Sequence, residues 1–252
     1  MPPIKITTFQ GKVSHIQEFK DGGKGALRIF KVQCDDIKDF SFVPGQFVMT
    51  AMEDCKNIAK SEEMKWSALS IASSHLELNE IHFCIRAKTE TGLMYFMAHK
   101  MKVGDTVHMR GPYGKFVMKE DPKGIIFVAT GTGIAPIISM LRTLLKQQYS
   151  HPIKLFFGFR NPDEYMYKEE LESYLYKHKN FELIPTISRP EGFNWSGKTG
   201  YVQETLKNFE FKEDISGFDA YLCGLPLACD DSIKILIAKG VNGMRISKEV
   251  YD

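Results

Sequence analysis

The stretch VATGTGIAPI, Val128 to Ile137, carries the residue types that hold a phosphate. Gly131 and Gly133, with Thr132 between them, let a backbone turn tightly and bring its N–H groups against a ligand. A helical apolar pattern follows, and the start of a helix offers unpaired N–H groups and the positive end of its dipole to an anion. Pro136 falls in the first helical turn, where its missing N–H costs little. The spacing is G-x-G-x-x-P, however, where the dinucleotide fingerprint is G-x-G-x-x-G. Taken alone, the motif reads either as a nucleotide site or as a tight turn between a strand and a helix. A second apolar run ends in Cys223-Gly224-Leu225-Pro226, placing a thiol beside small residues and another proline. The commoner fate of a lone cysteine is a small buried core residue.

Other chemistries find little support. The five cysteines, Cys34, Cys55, Cys84, Cys223 and Cys229, form no C-x-x-C pair. Neither a zinc ribbon nor an iron–sulfur cluster is encoded. His75, His82, His99 and His108 lack metal-ligand spacing, and no metal site is expected. No Ser-His-Asp set stands out. With Lys+Arg 33 against Asp+Glu 31, the net charge of +2 gives no reason to expect nucleic acid as a partner.

The elements that must position these residues fall into two halves. Up to about residue 118 the chain reads as short strands and turns: GALRIFKVQC, QFVMTAM, IHFCIRA and DTVHMRG. They are punctuated at Asp21-Gly22-Gly23, Pro44-Gly45 and Gly104-Asp105. Only TGLMYFMAHKM reads as helix there. Such punctuation predicts a small antiparallel barrel. Near Asp121-Pro122 the pattern changes. GIIFVAT holds five consecutive apolar residues, Ile125 to Ala129, which suits a strand buried on both faces. Ile134, Ile137, Ile138, Leu141, Leu144 and Leu145 then form a helical stripe. The alternation recurs through IKLFFGF, FELIPTIS and DAYLCG with helical segments between, predicting a doubly wound α/β domain. The expected division is 1–119 and 120–252.

The chain has 252 residues, 43% hydrophobic and 25% charged, enough for two full cores. No segment reaches the ~18 apolar residues of a membrane span. The first residues, MPPIKITTFQGK, show no apolar signal region. With the five cysteines read as reduced thiols, this leads to the expectation of a cytoplasmic protein.

Six fragments occur in order: FVPGQFV (42–48), LSIASS (69–74), RGPYGKF (110–116), GTGIAP (131–136), CGLP (223–226) and ISKEVY (246–251). Together they resemble the ferredoxin–NADP reductase superfamily over nearly the whole chain. The resemblance implies an N-terminal flavin-binding β-barrel, a C-terminal nicotinamide-dinucleotide domain, and hydride transfer from NAD(P)H to the flavin. Bound FAD is the implied cofactor, with FMN left open.

The resemblance also implies roles. Where the family shows R-x-Y-S, this chain reads Ser67-Ala68-Leu69-Ser70. Ser70 takes the position of the hydroxyl near flavin N5 and Leu69 that of the stacking aromatic. Ser67 replaces a phosphate-binding arginine, leaving Arg86, beside Ile85, as the better substitute cation and Lys65 as another. Gly92, Leu93 and Met94 open the short helix whose N–H groups meet the flavin pyrophosphate, although Tyr95 stands where the family carries a small hydroxyl. Cys223, with Gly224 and Pro226, is implied to lie beside the nicotinamide. Glu249 matches an acidic active-site position and is otherwise a surface carboxylate. Tyr251 either stacks on the flavin or packs as an ordinary aromatic residue.

For the dinucleotide, Arg160 follows the second parallel strand and Ser188-Arg189 the third. Some NADP-using members hold the 2′-phosphate with a Ser-Arg pair. NADH-using relatives carry S-R-P as well, so the lean toward NADPH is slight. The expected acceptor is a separate ferredoxin or flavodoxin, since no ferredoxin module of its own is read in the chain. The alternatives are a free-flavin reductase or a nucleotide-binding module with a degenerate flavin site.

Overall fold

A strand with apolar residues on both faces belongs in the interior of a layered sheet, and one that alternates belongs on the wall of a barrel. The computed structural model, which describes residues 5–20, 25–34, 37, 40–53, 55, 64–77, 79–119 and 122–251, contains both kinds. The turn expected at Asp21-Gly22-Gly23, and Asp121 of the expected change of pattern, lie outside the described residues. The chain divides into two compact units, residues 1–118 with 138–143, and residues 119–137 with 144–252.

In the first unit, β1 (Thr7–Phe19), β2 (Leu27–Gln33), β3 (Phe47–Ala51), β4 (Ser67–Ser70), β5 (Glu80–Arg86) and β6 (Thr106–Tyr113) form one antiparallel sheet, ordered β4-β3-β6-β1-β2-β5. Beyond β4, Ala72 N–H donates to the His82 carbonyl at 2.8 Å, bringing the two edges together into a nearly closed barrel. Its core includes Phe30, Phe40, Ile71, Ile81, Phe83 and Val107. A helix, α1 (Gly92–His99), packs Leu93, Phe96, Met97 and Ala98 against it. The Pro44-Gly45 turn is pinned by the side chain of Gln46, which accepts from Val43 N–H at 2.8 Å and donates to the Gly114 carbonyl at 3.2 Å.

The second unit holds a six-stranded parallel sheet: β7 (Ile125–Thr130), β8 (Ile153–Phe159), β9 (Phe181–Ile187), β10 (Lys198–Thr199), β11 (Asp219–Gly224) and β12 (Ile246–Val250), ordered β10-β9-β8-β7-β11-β12. The helices of the chain's second half are α2 (Ile134–Lys146), α3 (Lys168–Lys177), α4 (Val202–Lys207) and α5 (Pro226–Ala238). Every residue of β8 and β11 is buried, which is why neither sequence alternates. The order reverses between β7 and β11, making the topological switch point where ligands of such sheets bind. The expected apolar stripe on α2 is buried in full.

One polar cluster in the first unit defines a protonation state. Arg142 Nη1 donates to the Ala72 carbonyl at 2.7 Å and lies 3.1 Å from His82 Nδ1. A guanidinium only donates, so Nδ1 accepts and the imidazole is neutral. Its proton sits on Nε2, 2.6 Å from Glu80 Oε1. Burial pushes His82 down to about 4, with the Arg142 charge acting in the same direction and Glu80 against it. The unfolded chain takes up this proton near pH 6.5 and the folded chain only near 4. Between those values the unfolded state binds more protons, so stability falls as pH is lowered from 6.5 to 4. His82→Gln is expected to remove about 2–3 kcal/mol of that pH dependence, read from urea unfolding at pH 4.5 and 7. Parallel pH–stability curves for the two proteins would refute this protonation state.

Candidate functional site

The nucleotide turn is built by backbones that touch. Gly131-Thr132-Gly133 form a single 3-10 turn between β7 and α2, with Gly131 at φ +53°. A Cβ on Gly133 would lie 2.2 Å from the Cys223 carbonyl oxygen and 2.8 Å from Gly224 Cα. Gly224, at φ +142°, is equally bare, and a Cβ there would meet Thr130 Oγ1 at 2.0 Å. That hydroxyl accepts from Leu225 N–H at 2.9 Å, tying the two strand ends together. Pro136 lies in the first turn of α2, and Pro226 is the first residue of α5. Both helices thus begin at the switch point and turn their N-terminal dipole ends toward it.

Three expected site residues meet in the second unit. Cys223 pairs in register with Glu249 of β12. Tyr251 N–H donates to the Gly224 carbonyl at 3.1 Å, and its hydroxyl lies 3.4 Å from Glu249 Oε2. Burial holds the thiol well above its usual range, and the Glu249 charge adds to the effect. Cys223 is therefore a neutral, fully buried thiol, suited to shaping a surface and unsuited to nucleophilic attack.

The ends of β8 and β9 form a second part of this region. Ser188 N–H donates to the Phe159 carbonyl at 3.0 Å and Arg189 N–H to the Arg160 carbonyl at 2.8 Å, so the two arginines are ladder neighbours. Beside them Tyr165 stacks on Phe159 at 4.5 Å, and the edge of Trp195 packs against both. The Tyr165 hydroxyl is buried with no hydrogen-bond partner among the described residues. Trp195 is fixed by a 2.9 Å bond from Nε1 to the Lys198 carbonyl. Tyr165 had no sequence signal of its own.

In the first unit, β4 pairs with β3, placing Ser70 opposite Phe47 and Ser67 opposite Thr50. Ser67 and Ser70 are half-buried, whereas Leu69 belongs to the apolar core. Ile85 is in that core too, and Arg86, next to it at the end of β5, is half-buried and donates to the Gly25 carbonyl at 3.4 Å. Gly92 opens α1 at φ +85°, and a Cβ there would meet nothing within 4 Å. The preceding Thr91 makes no side-chain cap, and the first turn has no acidic residue. Leu93 and Met94 supply its next N–H groups. Tyr95 turns away from this end, its ring 4.5 Å from that of His99.

Residues 24–118 match the family described as "Oxidoreductase FAD-binding domain", and residues 127–231 the "Oxidoreductase NAD-binding domain". The chain belongs to the ferredoxin–NADP reductase superfamily. It is similar to the phenol hydroxylase P5 protein of Acinetobacter pittii (strain PHEA-2), with 31% identity over 92% of this chain and 62% of that protein. It is similar also to the phenol 2-monooxygenase reductase component DmpP of Pseudomonas sp. (strain CF600), with 32% identity over 92% of this chain and 62% of that protein. The ferredoxin reductase of carbazole 1,9a-dioxygenase shares the fold, with a TM-score of 0.82 at 20% identity, covering 100% of this chain and 71% of that one. The chain spans about half to two-thirds of the length of these and similar curated relatives, from 48% to 64%.

The two matched families are an FAD-binding and an NAD-binding domain, so FAD is the cofactor and NAD(P)H the cosubstrate of this family. The first unit has donors that fit FAD phosphates: an α1 N-terminus with no side-chain cap, open space over Gly92, and Arg86 on the neighbouring strand. No helix among the described residues is long and apolar enough to cross a membrane, and no group of His, Cys, Asp or Glu there could hold a metal ion.

Gly133→Ala is expected to cost about 3 kcal/mol or more in urea unfolding, because the methyl meets backbone rather than a movable side chain. Gly131→Ala, where the added atom meets nothing, is expected to cost only about 1 kcal/mol for its left-handed backbone. Equal costs would show that the close approach to Cys223 is not what demands Gly133.

Proposed function

We propose that the protein is an NAD(P)H-dependent flavoprotein reductase that passes electrons from NAD(P)H through FAD to a small redox protein, a ferredoxin or a flavodoxin. The observation that carries this reading is the meeting of Cys223, Glu249 and Tyr251 at the switch point whose other wall is the Gly131–Gly133 turn. The similarity to electron-transfer components of monooxygenases and dioxygenases supports the acceptor class. In this reading residues 1–119 form the flavin domain and 120–252 the NAD(P) domain. The protein is assigned to the cytoplasm, in keeping with five cysteines that form no disulfide among the described residues.

FAD, held by the first unit, would supply the two-electron and one-electron redox chemistry. The chain supplies position and polarity. The N–H groups of the Gly131–Gly133 turn and of the start of α2 take the dinucleotide pyrophosphate. The neutral Cys223 thiol bounds the nicotinamide pocket without placing a charge there. Ser70 donates a hydrogen bond to the flavin ring. Arg86 and the N–H groups of Gly92, Leu93 and Met94 take the flavin phosphates. Glu249 accepts from the Tyr251 hydroxyl and so holds that side chain beside β12. The adjacent arginines Arg160 and Arg189, with Ser188, favour the 2′-phosphate of NADPH over the bare ribose of NADH.

Purified protein is expected to show flavin absorption that bleaches on anaerobic addition of NADPH, and more slowly with NADH. A colourless protein that gains no flavin bands with FAD or FMN would rule the reading out in favour of a binding module. Reduction only of flavin added in excess would point to a free-flavin reductase. Cys223→Ala is expected to slow single-turnover reduction on the order of tenfold at unchanged flavin content. An unchanged rate would remove Cys223 from the hydride step.

A further inference from the structure

The flavin reading leaves a mechanical question at α1. The helix has eight residues and rests on the barrel through Leu93, Phe96, Met97 and Ala98. Apolar contact is non-directional, so this face alone lets a short helix slide or roll. Yet N–H groups that bind a phosphate must be held to a fraction of an ångström. Something has to fix the helix along its axis.

Arg28 does so from the other end. It lies on β2, directly opposite Glu18 on β1 and Ile85 on β5. Its guanidinium Nη1 donates to the carbonyls of Met97 at 3.0 Å and Met101 at 3.2 Å. These carbonyls lie at the C-terminal end of α1, where Phe96 already accepts from both Lys100 N–H and Met101 N–H. Nη2 is bonded to Glu18, so both ends of the guanidinium fork are used. The Arg28 side chain is only 11% exposed, against 67% for Glu18. A mostly buried cation thus sits at the negative end of the α1 dipole, making charge-assisted bonds with fixed direction.

We infer that Arg28 is a positioning residue for the flavin phosphates: by clamping the C-terminal carbonyls of α1 to β2, it sets where the N–H groups of Gly92, Leu93 and Met94 stand. The inference rests on the proposed flavin site and adds to it a residue on β2 that meets the helix at Met97 and Met101, three and seven residues beyond Met94. Arg28 touches neither reactant nor cofactor in this role. Its effect runs through the helix, and it falls on the phosphate end alone. With Ser67 in place of the family arginine, binding at that end depends more heavily on backbone donors, whose placement the clamp controls.

The test compares two ligands on flavin-free full-length protein, FAD and riboflavin, which has the same ring and no phosphate. Arg28→Gln is expected to weaken FAD binding roughly tenfold and leave riboflavin binding unchanged, measured by flavin fluorescence quenching. Arg28→Lys, a point charge without the fork, is expected to fall between, which guards against a glutamine variant that folds poorly. Amide exchange in the absence of flavin is expected to quicken across α1 in Arg28→Gln and stay unchanged in β7 and β11. Equal losses for FAD and riboflavin, or unchanged FAD binding, would overturn the inference. Failure of the underlying reading looks different: wild-type protein would itself bind neither flavin, or bind FAD no more tightly than riboflavin, and the inference would fall with it.

Discussion

Two strand ends that meet without side chains between them govern the chemistry of the nucleotide-binding unit. Gly133 lies so close to the Cys223 carbonyl that a single methyl has no room, and Gly224 stands in the same relation to Thr130. The contact does three things together. It brings the first turns of α2 and α5 together, so two helix N-termini open at the switch point. It commits Thr130 Oγ1 to the Leu225 N–H and so satisfies a backbone donor at the start of α5. It also seals Cys223 from water, and that sealing keeps the thiol protonated. The close approach that shapes a phosphate turn therefore also decides what the neighbouring sulfur does, which is to pack and not to attack.

The parallel half was the more legible in sequence, for a simple reason. Strands buried on both faces are written as apolar runs, and Ile125–Ala129 and Ile153–Phe159 read that way directly. Helix α2 announced itself by its stripe. The barrel was legible as a class and less so in its parts. β1 runs 13 residues, Thr7–Phe19, yet only two of them, Gly11 and Val13, are fully buried, so its alternation is too weak to count. The four residues of β4 carry no strand pattern and are defined by pairing with β3. The meeting of Cys223, Glu249 and Tyr251 depended on the parallel register of β11 and β12, which no local pattern encodes. Arg28, Gln46 and Arg142 were invisible for a related reason. Each acts through backbone carbonyls distant in sequence, and such bonds leave no motif.

At the flavin end the departures from the family pattern take on physical meaning. Leu69 packs into the barrel core, where an aromatic hydroxyl would need a partner. Tyr95 packs against His99 and leaves the helix start to Gly92. In the proposed flavin site, the absent arginine and small hydroxyl leave phosphate binding to peptide N–H groups and Arg86. Peptide donors are weaker individually but carry no conformational entropy of their own once the helix is fixed. The requirement moves from having the right side chain to having the helix in the right place.

That difference separates the two units by the kind of force on which their ligand sites rely. The Gly131–Gly133 turn is set by sterics: it needs the absence of atoms, and an excluded volume is indifferent to salt and pH. The helix α1 and the strand edge at His82 are set by charge: Arg28 on the Met97 carbonyl, and Arg142 on a neutral imidazole. Charge-assisted bonds hold only while each group keeps its protonation state, and the His82 imidazole and the Glu80 carboxylate are the members that acid can change. Acid therefore acts first on the barrel, at the Arg142–His82–Glu80 chain, while the glycine contact across β7 and β11 has no proton to gain. Sensitivity to conditions follows the bond type in each unit and not the importance of the ligand it serves.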